Sequence, residues 1–123
     1  MTTDKKTMRI LIMDDDHSLL EALSHMLKEH SHEVHTADNA KDAVAKVAET
    51  DYDIVMADYR MPGEDGIWFM KNAKLKRSTK VLLCTAYANR EVIKQMFELG
   101  ACGYLIKPFD EEEVLRNLEF HGV

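Results

Sequence analysis

Asp14, Asp15 and Asp16 follow directly on the apolar run RILIM, and Asp58 closes a second apolar run, YDIVMA. Thr85 and Lys107 stand at the ends of two more, KVLLCT and GYLIK. Two carboxylates about 4 Å apart repel by roughly 4 kcal/mol at an effective dielectric near 20. A cluster of like charges at the end of a buried segment therefore needs water or a cation to offset it. Three carboxylates, a hydroxyl and an ammonium suit a hard divalent cation together with a phosphate. Mg²⁺ takes an octahedron of oxygens, commonly one or two carboxylates with water and phosphate filling the rest. An ion at Asp15 and Asp58 would offset the repulsion, and without it crowding should raise the pKa of one carboxylate. Lys107 and the Thr85 hydroxyl can hold the other oxygens of a phosphoryl group and stabilise its charge. A carboxylate within reach of that group can act as nucleophile and form an acyl phosphate. Asp58 is best placed for that, with acids on one side and Thr85 on the other.

All of this requires that residues far apart in the chain meet. Five short apolar runs alternate with five helical patterns. Met8 to Met13 is nearly continuous in apolar residues, the mark of a strand buried on both faces. Leu19, Ala22, Leu23, Met26 and Leu27 then follow the spacing of an amphipathic helix, with Asp16 read as its beginning rather than as a ligand, and with Ser18 and Glu21 at capping-box separation. Glu33 to Ala37 alternates and is polar enough for an edge strand. Ala40, Ala43, Val44, Val47 and Ala48 repeat the helical spacing behind Asn39, a good N-cap residue. The third strand runs from Tyr52 to Asp58, and the loop MPGEDG leads into a helix at Gly66 that carries Ile67 and Met70. Lys80 to Ala86 forms the fourth strand, and a helix from Asn89 to Leu99 sets Val92, Ile93, Met96 and Phe97 on one side. Gly103 to Lys107 is the fifth strand, stopped by Pro108. The last helix starts near Asp110 and turns Val114, Leu115 and Leu118 inward.

Strands alternating with helices predict βαβ units, a doubly wound parallel sheet and right-handed crossovers. All strand C-termini then lie on one edge, where open α/β sheets bind their ligands. Asp14, Asp15, Asp58, Thr85 and Lys107 come to that rim together.

In order and at their separations, ILIMDDD, DIVMADYRMPGEDG, VLLCTAY and GYLIKPF resemble the receiver domains of two-component response regulators. The resemblance runs from about Met8 to Leu118. It implies a flavodoxin-like (βα)5 sheet of strand order 2-1-3-4-5. It also implies a phosphoryl group passed to Asp58 from the phosphohistidine of a sensor histidine kinase or phosphotransfer protein. By the same resemblance Asp15 is the chief acidic ligand for Mg²⁺, with Asp14 assisting, through water if not directly. Asp58 is both phosphoacceptor and ligand, and the backbone carbonyl of Arg60 completes the protein's share. Thr85 would swing toward the acyl phosphate and Lys107 would pair with it. Tyr104 takes the aromatic switch position, whose inward or outward rotamer follows Thr85. The fourth helix, fifth strand and fifth helix become the signalling surface. Arg60 and Tyr87 stand where the family tunes loss of the phosphoryl group.

Composition bounds these expectations. The chain has 123 residues, 46% hydrophobic and 31% charged, with a formal charge of −6. That length suits one domain, residues 1–123 with a core of about 8–118, and no output domain is expected within it. The negative charge argues against direct nucleic-acid binding. No apolar run approaches the roughly 20 residues that span a bilayer, and MTTDKKTM lacks the apolar segment of a secretory signal. Cys84 and Cys102 read as reduced, small apolar residues, so a cytoplasmic setting is expected. His25, His30, His32 and His35 match no zinc spacing, and the basic run Lys74 to Lys80 falls on the rim opposite the aspartates. Both read as solvated surface. An output domain or a downstream protein is the expected reader of the switch.

Other functions fit less well. Asp14-x-Asp16 after a strand resembles the nucleophile motif of haloacid-dehalogenase-like phosphatases. Those enzymes want a late acidic motif, however, where this chain has Lys107 and Pro108. A flavin module would want hydroxyls and glycines after the first strand, where this chain has acids. A receiver-like interaction module that signals without phosphorylation is the remaining alternative. Loss of an acidic, hydroxyl or lysine position would mark it, and none is lost. The domain is thus expected to catalyse only its own phosphorylation and dephosphorylation.

Overall fold

The computed structural model describes residues 7–86 and 89–122. Its elements are β1 (Arg9–Met13), α1 (His17–Glu29), β2 (Glu33–Ala37), α2 (Ala40–Glu49) and β3 (Ile54–Ala57), followed by α3 (Gly66–Asn72), β4 (Lys80–Thr85), α4 (Arg90–Glu98), β5 (Gly103–Ile106) and α5 (Glu111–His121). The strands form one parallel sheet in the order β2-β1-β3-β4-β5, as predicted.

Alternation of side chains across the pleat explains why the central runs are apolar throughout. Leu11, Met13, Val55, Ala57, Val81 and Leu83 face one way, into a core closed by α2, α3 and α4. Ile10, Ile12, Ile54, Met56, Leu82, Cys84 and Leu105 face the other, under Leu20, Leu23 and Leu27 of α1 and Val114 and Leu118 of α5. Both edge strands are polar or exposed at alternate positions.

Each helix starts on a side chain that accepts from a free backbone N–H. Asn39 takes the amide of Asp42 at 2.8 Å, Asp65 that of Trp68 at 2.9 Å, and Asn89 that of Val92 at 2.9 Å. Asp110 and Glu113 form a reciprocal capping box on α5. At α1 the expectation of a Ser18–Glu21 box gives way to Asp16, whose carboxylate accepts from the Leu19 amide at 3.2 Å. The turn begins as soon as β1 ends, so both predicted capping residues lie inside the helix.

α1 and α4 end in the same way, with paired backbone bonds over the last turn. The His32 amide donates to Leu27 and the Ser31 amide to Lys28; Ala101 donates to Met96 and Gly100 to Phe97. This pattern needs a residue at positive φ. At α4 it is Gly100, at 117°, whereas at α1 it is Ser31, at 71°. A β-carbon in that region costs on the order of 1 kcal/mol. Ser31→Gly should therefore raise the urea midpoint by the equivalent of about 0.5–1 kcal/mol with an unchanged slope. A lowered midpoint would show that the Ser31 side chain contributes more than its backbone costs.

Among the described residues no helix is long and apolar enough to cross a membrane.

Candidate functional site

Asp14 and Asp58 leave the C-terminal ends of β1 and β3, neighbours in the sheet. Their own amides are tied in: Asp14 donates to Ala37 at 3.0 Å and Asp58 to Met13 at 3.0 Å. The backbone therefore sets where both carboxylates emerge. Asp14, Asp58 and Thr85 are the buried polar residues of the sheet edge, between 2% and 5% exposed, whereas Asp15 is open to solvent. Carboxylate oxygens of Asp14, Asp15 and Asp58 lie within 4.8 Å of one another.

Lys107 reaches into this group from the end of β5. Its Nζ donates to Asp14 Oδ2 at 2.6 Å and to Asp58 Oδ2 at 3.3 Å. The other Asp14 oxygen, Oδ1, accepts from the Asp16 amide at 2.9 Å. Thr85 ends β4, and its carbonyl accepts from the Lys107 amide at 3.0 Å. Strands four and five thus deliver the hydroxyl and the ammonium as a linked pair.

The electrostatics follow from burial and crowding. Three carboxylates face one ammonium. Burial, and then the charge of Asp14, push the pKa of Asp58 above the usual aspartate value, with Lys107 offsetting part of the rise. Burial works against the charged form of Lys107, but Asp14 and Asp58 outweigh it and hold its pKa above that of an ordinary lysine. The donors are all oxygen, they carry excess negative charge, and Asp58 resists ionisation without a further cation. That is the donor set a hard divalent ion fits.

The remaining predicted positions fall around this rim. Arg60 is exposed, two residues beyond Asp58. Tyr104 lies on β5 with its ring turned outward, 44% exposed. Tyr87 lies outside the described residues. Of the histidines expected to be solvated, His25 is exposed and faces Glu29, whereas His30, His32 and His35 are half-buried: His30 faces Glu111, His32 accepts from the Met8 amide, and His35 bridges Tyr52 and Glu33. Asp16 caps α1 and is not one of the three converging carboxylates.

From the sequence, Gly66 stands only where the loop MPGEDG leads into a helix. A β-carbon there would sit 2.6 Å from the Asp58 carbonyl oxygen and 3.0 Å from the Tyr59 Cα. The start of α3 thus rests directly on the backbone of Asp58, also held by the Gly66 amide donating to Tyr59 at 2.8 Å. A glycine followed by a helix was the visible signal; the close approach itself was not.

Comparison with known proteins agrees with this geometry. The family model for the response regulator receiver domain matches residues 10–119. Chemotaxis protein CheY-3 of Vibrio cholerae is 32% identical over 118 residues, covering 93% of this chain and 91% of its own. The transcriptional regulatory protein ResD of Bacillus subtilis is 33% identical over 111 residues, 90% of this chain but 46% of that protein. The chain thus spans less than half of ResD. Among solved structures, a CheY-like receiver domain of Methanospirillum hungatei superposes with a TM-score of 0.90 at 27% identity, covering 95% of this chain and 94% of its own. The response regulator TrrA of Thermotoga maritima, solved with Mg²⁺ and a beryllium fluoride, gives 0.80 at 30% identity, covering 91% and 96%. With the family model matched along nearly its whole length, this chain belongs to the response regulator receiver family.

Proposed function

We propose that this receiver accepts a phosphoryl group on Asp58 from the phosphohistidine of a sensor histidine kinase or phosphotransfer protein. The observation that carries this reading is the meeting of Asp14, Asp15, Asp58 and Lys107 at one point on the sheet edge. In the reaction an Asp58 oxygen attacks phosphorus, the P–N bond breaks, and the imidazole leaves with the electron pair. The product is an acyl phosphate. Asp14, Asp15, Asp58 and the backbone carbonyl of Arg60 would hold Mg²⁺. When bound, that ion neutralises charge shared between the carboxylates and the phosphoryl oxygens. The Lys107 ammonium, already between Asp14 and Asp58, pairs with a phosphoryl oxygen, and the Thr85 hydroxyl donates to another.

The new contacts to Thr85 and Lys107 bias the domain between resting and active forms, with Tyr104 following Thr85. A full move from 1:99 to 99:1 requires about 5.5 kcal/mol of differential stabilisation. An output domain or a downstream protein reads the change on α4, β5 and α5. The chain acts as a cytoplasmic switch that catalyses only its own phosphorylation and dephosphorylation. With its formal charge of −6 it makes no direct contact with nucleic acid.

The test is intact mass after incubation with acetyl phosphate, with Mg²⁺ or with chelator, followed by mapping of the modified residue. One phosphoryl group added at Asp58, only when Mg²⁺ is present, is expected. No addition to a folded sample, beside a control receiver that is labelled, would leave a phosphorylation-independent module instead.

A further inference from the structure

Phe97 on α4 and Tyr104 on β5 meet edge to face, with centroids 6.2 Å apart and ring planes at 68°. Phe97 is 41% exposed and Tyr104 44% exposed, so each ring covers part of the other while both stay at the surface. Neither belongs to either core cluster. α4 anchors itself through Val92 and Met96, and β5 through Leu105. Core packing therefore does not dictate where the Tyr104 ring lies, and its hydroxyl has no hydrogen-bond partner among the described residues.

The geometry points to Phe97 as the seat that holds Tyr104 outward in the resting domain, a positioning residue for the switch. This rests on the receiver reading above, in which Tyr104 changes rotamer with Thr85. A Tyr104 ring that turns inward has to leave Phe97, so the contact stabilises only the resting form. Ring pairs of this kind bias an equilibrium by about two- to twelvefold. Removing the pair should move the inward population by that factor. A ligand that favours the inward form then binds tighter by up to the same factor. Leu99 and Ile106 are also exposed, but an aliphatic neighbour offers no edge-to-face partner.

The experiment is NMR of the full chain with labelled tyrosine, without phosphodonor. Tyr104 is assigned through Tyr104→Phe, and its χ1 populations are read from three-bond couplings. Phe97→Ala and Phe97→Leu should both raise the inward fraction by about two- to twelvefold. Phe97→Tyr, which keeps a ring, should leave it unchanged. Because Phe97 lies outside both cores, the variants should keep the parent's circular dichroism. Unchanged Tyr104 couplings in folded Phe97→Ala or Phe97→Leu would overturn the assignment, as would an equal change in Phe97→Tyr. A titration with beryllofluoride and Mg²⁺ separates the two levels of the argument. Tighter binding in Phe97→Ala supports the seat and its link to the site. Failure of the parent to bind counts against the proposed phosphoacceptor function, while the couplings still decide the role of Phe97.

Discussion

Asp58→Asn is expected to abolish phosphoryl addition and, in metal-free buffer, to make the resting protein harder to unfold. The two effects share one cause. Asp58 is buried, and burial with the neighbouring charge of Asp14 raises its pKa despite Lys107. The ionised acid is therefore disfavoured in the fold relative to the unfolded chain. Asparagine keeps the shape and an oxygen for Lys107 but carries no charge and cannot form the acyl phosphate. Stabilising single substitutions commonly give about 0.5–2 kcal/mol. For an acid whose folded pKa lies above its unfolded value, the native state binds more protons through that interval. Stability then rises as pH falls through the folded pKa toward the unfolded one. Urea midpoints in chelator, at neutral pH and at mildly acidic pH, should show this gain in the parent and lack that part in Asp58→Asn. Identical responses in the two proteins would remove Asp58 as the destabilising group. Added Mg²⁺ should reverse the order, stabilising the parent more than the variant.

The same balance of burial and charge explains what could be foreseen and what could not. Nearly continuous apolar runs made β1, β3 and β4 legible, because a strand covered on both faces has no polar side. Asn39 and Asp110 were readable as helix starts, since little else at those positions can satisfy free amides. The start of α1 carried two signals, Asp16 as its beginning and the Ser18–Glu21 spacing, because both are good capping residues and the first buried leucine is Leu20; Asp16 is the cap. β3 was read as Tyr52–Asp58 and pairs only over Ile54–Ala57. Tyr52 is buried without joining the ladder, and burial alone mimics a strand. Crowding was expected to raise one carboxylate, and Asp58 is raised, but burial contributes more than its neighbours. The division of labour between Asp14 and Asp15 was beyond sequence. Asp14 is buried beneath Lys107 and Asp15 is exposed, and that depends on where β5 delivers an ammonium from 93 residues away. The Phe97–Tyr104 contact was hidden for a related reason. Helical spacing placed Phe97 with Val92, Ile93 and Met96, yet the sheet ends at β5 and leaves that end of the face uncovered.

Lys107→Ala should produce the largest loss of stability of any single change at the site, and Mg²⁺ should recover much of it. Lys107 is 21% exposed at its side chain, and the carboxylates it bridges are 3% and 7% exposed. Removing one partner of a buried pair leaves charge uncompensated and costs about 3–5 kcal/mol. Here two buried carboxylates lose their ammonium together, with Asp15 adjoining them. Water entering at the rim sets the cost toward the lower end. A divalent ion binds the native cluster and not the unfolded chain, so at a hundred times its dissociation constant it contributes about 2.7 kcal/mol. Because the variant has lost the competing ammonium, its Mg²⁺ affinity should rise above the parent's, an effect measurable by calorimetry without any phosphodonor. Lys107 also leaves a signature in the parent at high pH. Its folded pKa lies above the ordinary value of 10.5, so its stabilising effect is complete below the unfolded pKa and is lost as pH rises through the folded one. Alkaline titration of parent and variant should converge in stability above that range. Phosphorylation should persist weakly in Lys107→Ala, since Asp58 remains, but with little movement of Tyr104. A variant as stable as the parent in chelator, or one whose loss Mg²⁺ does not touch, would mean that Lys107 is not the counter-ion of the acidic rim.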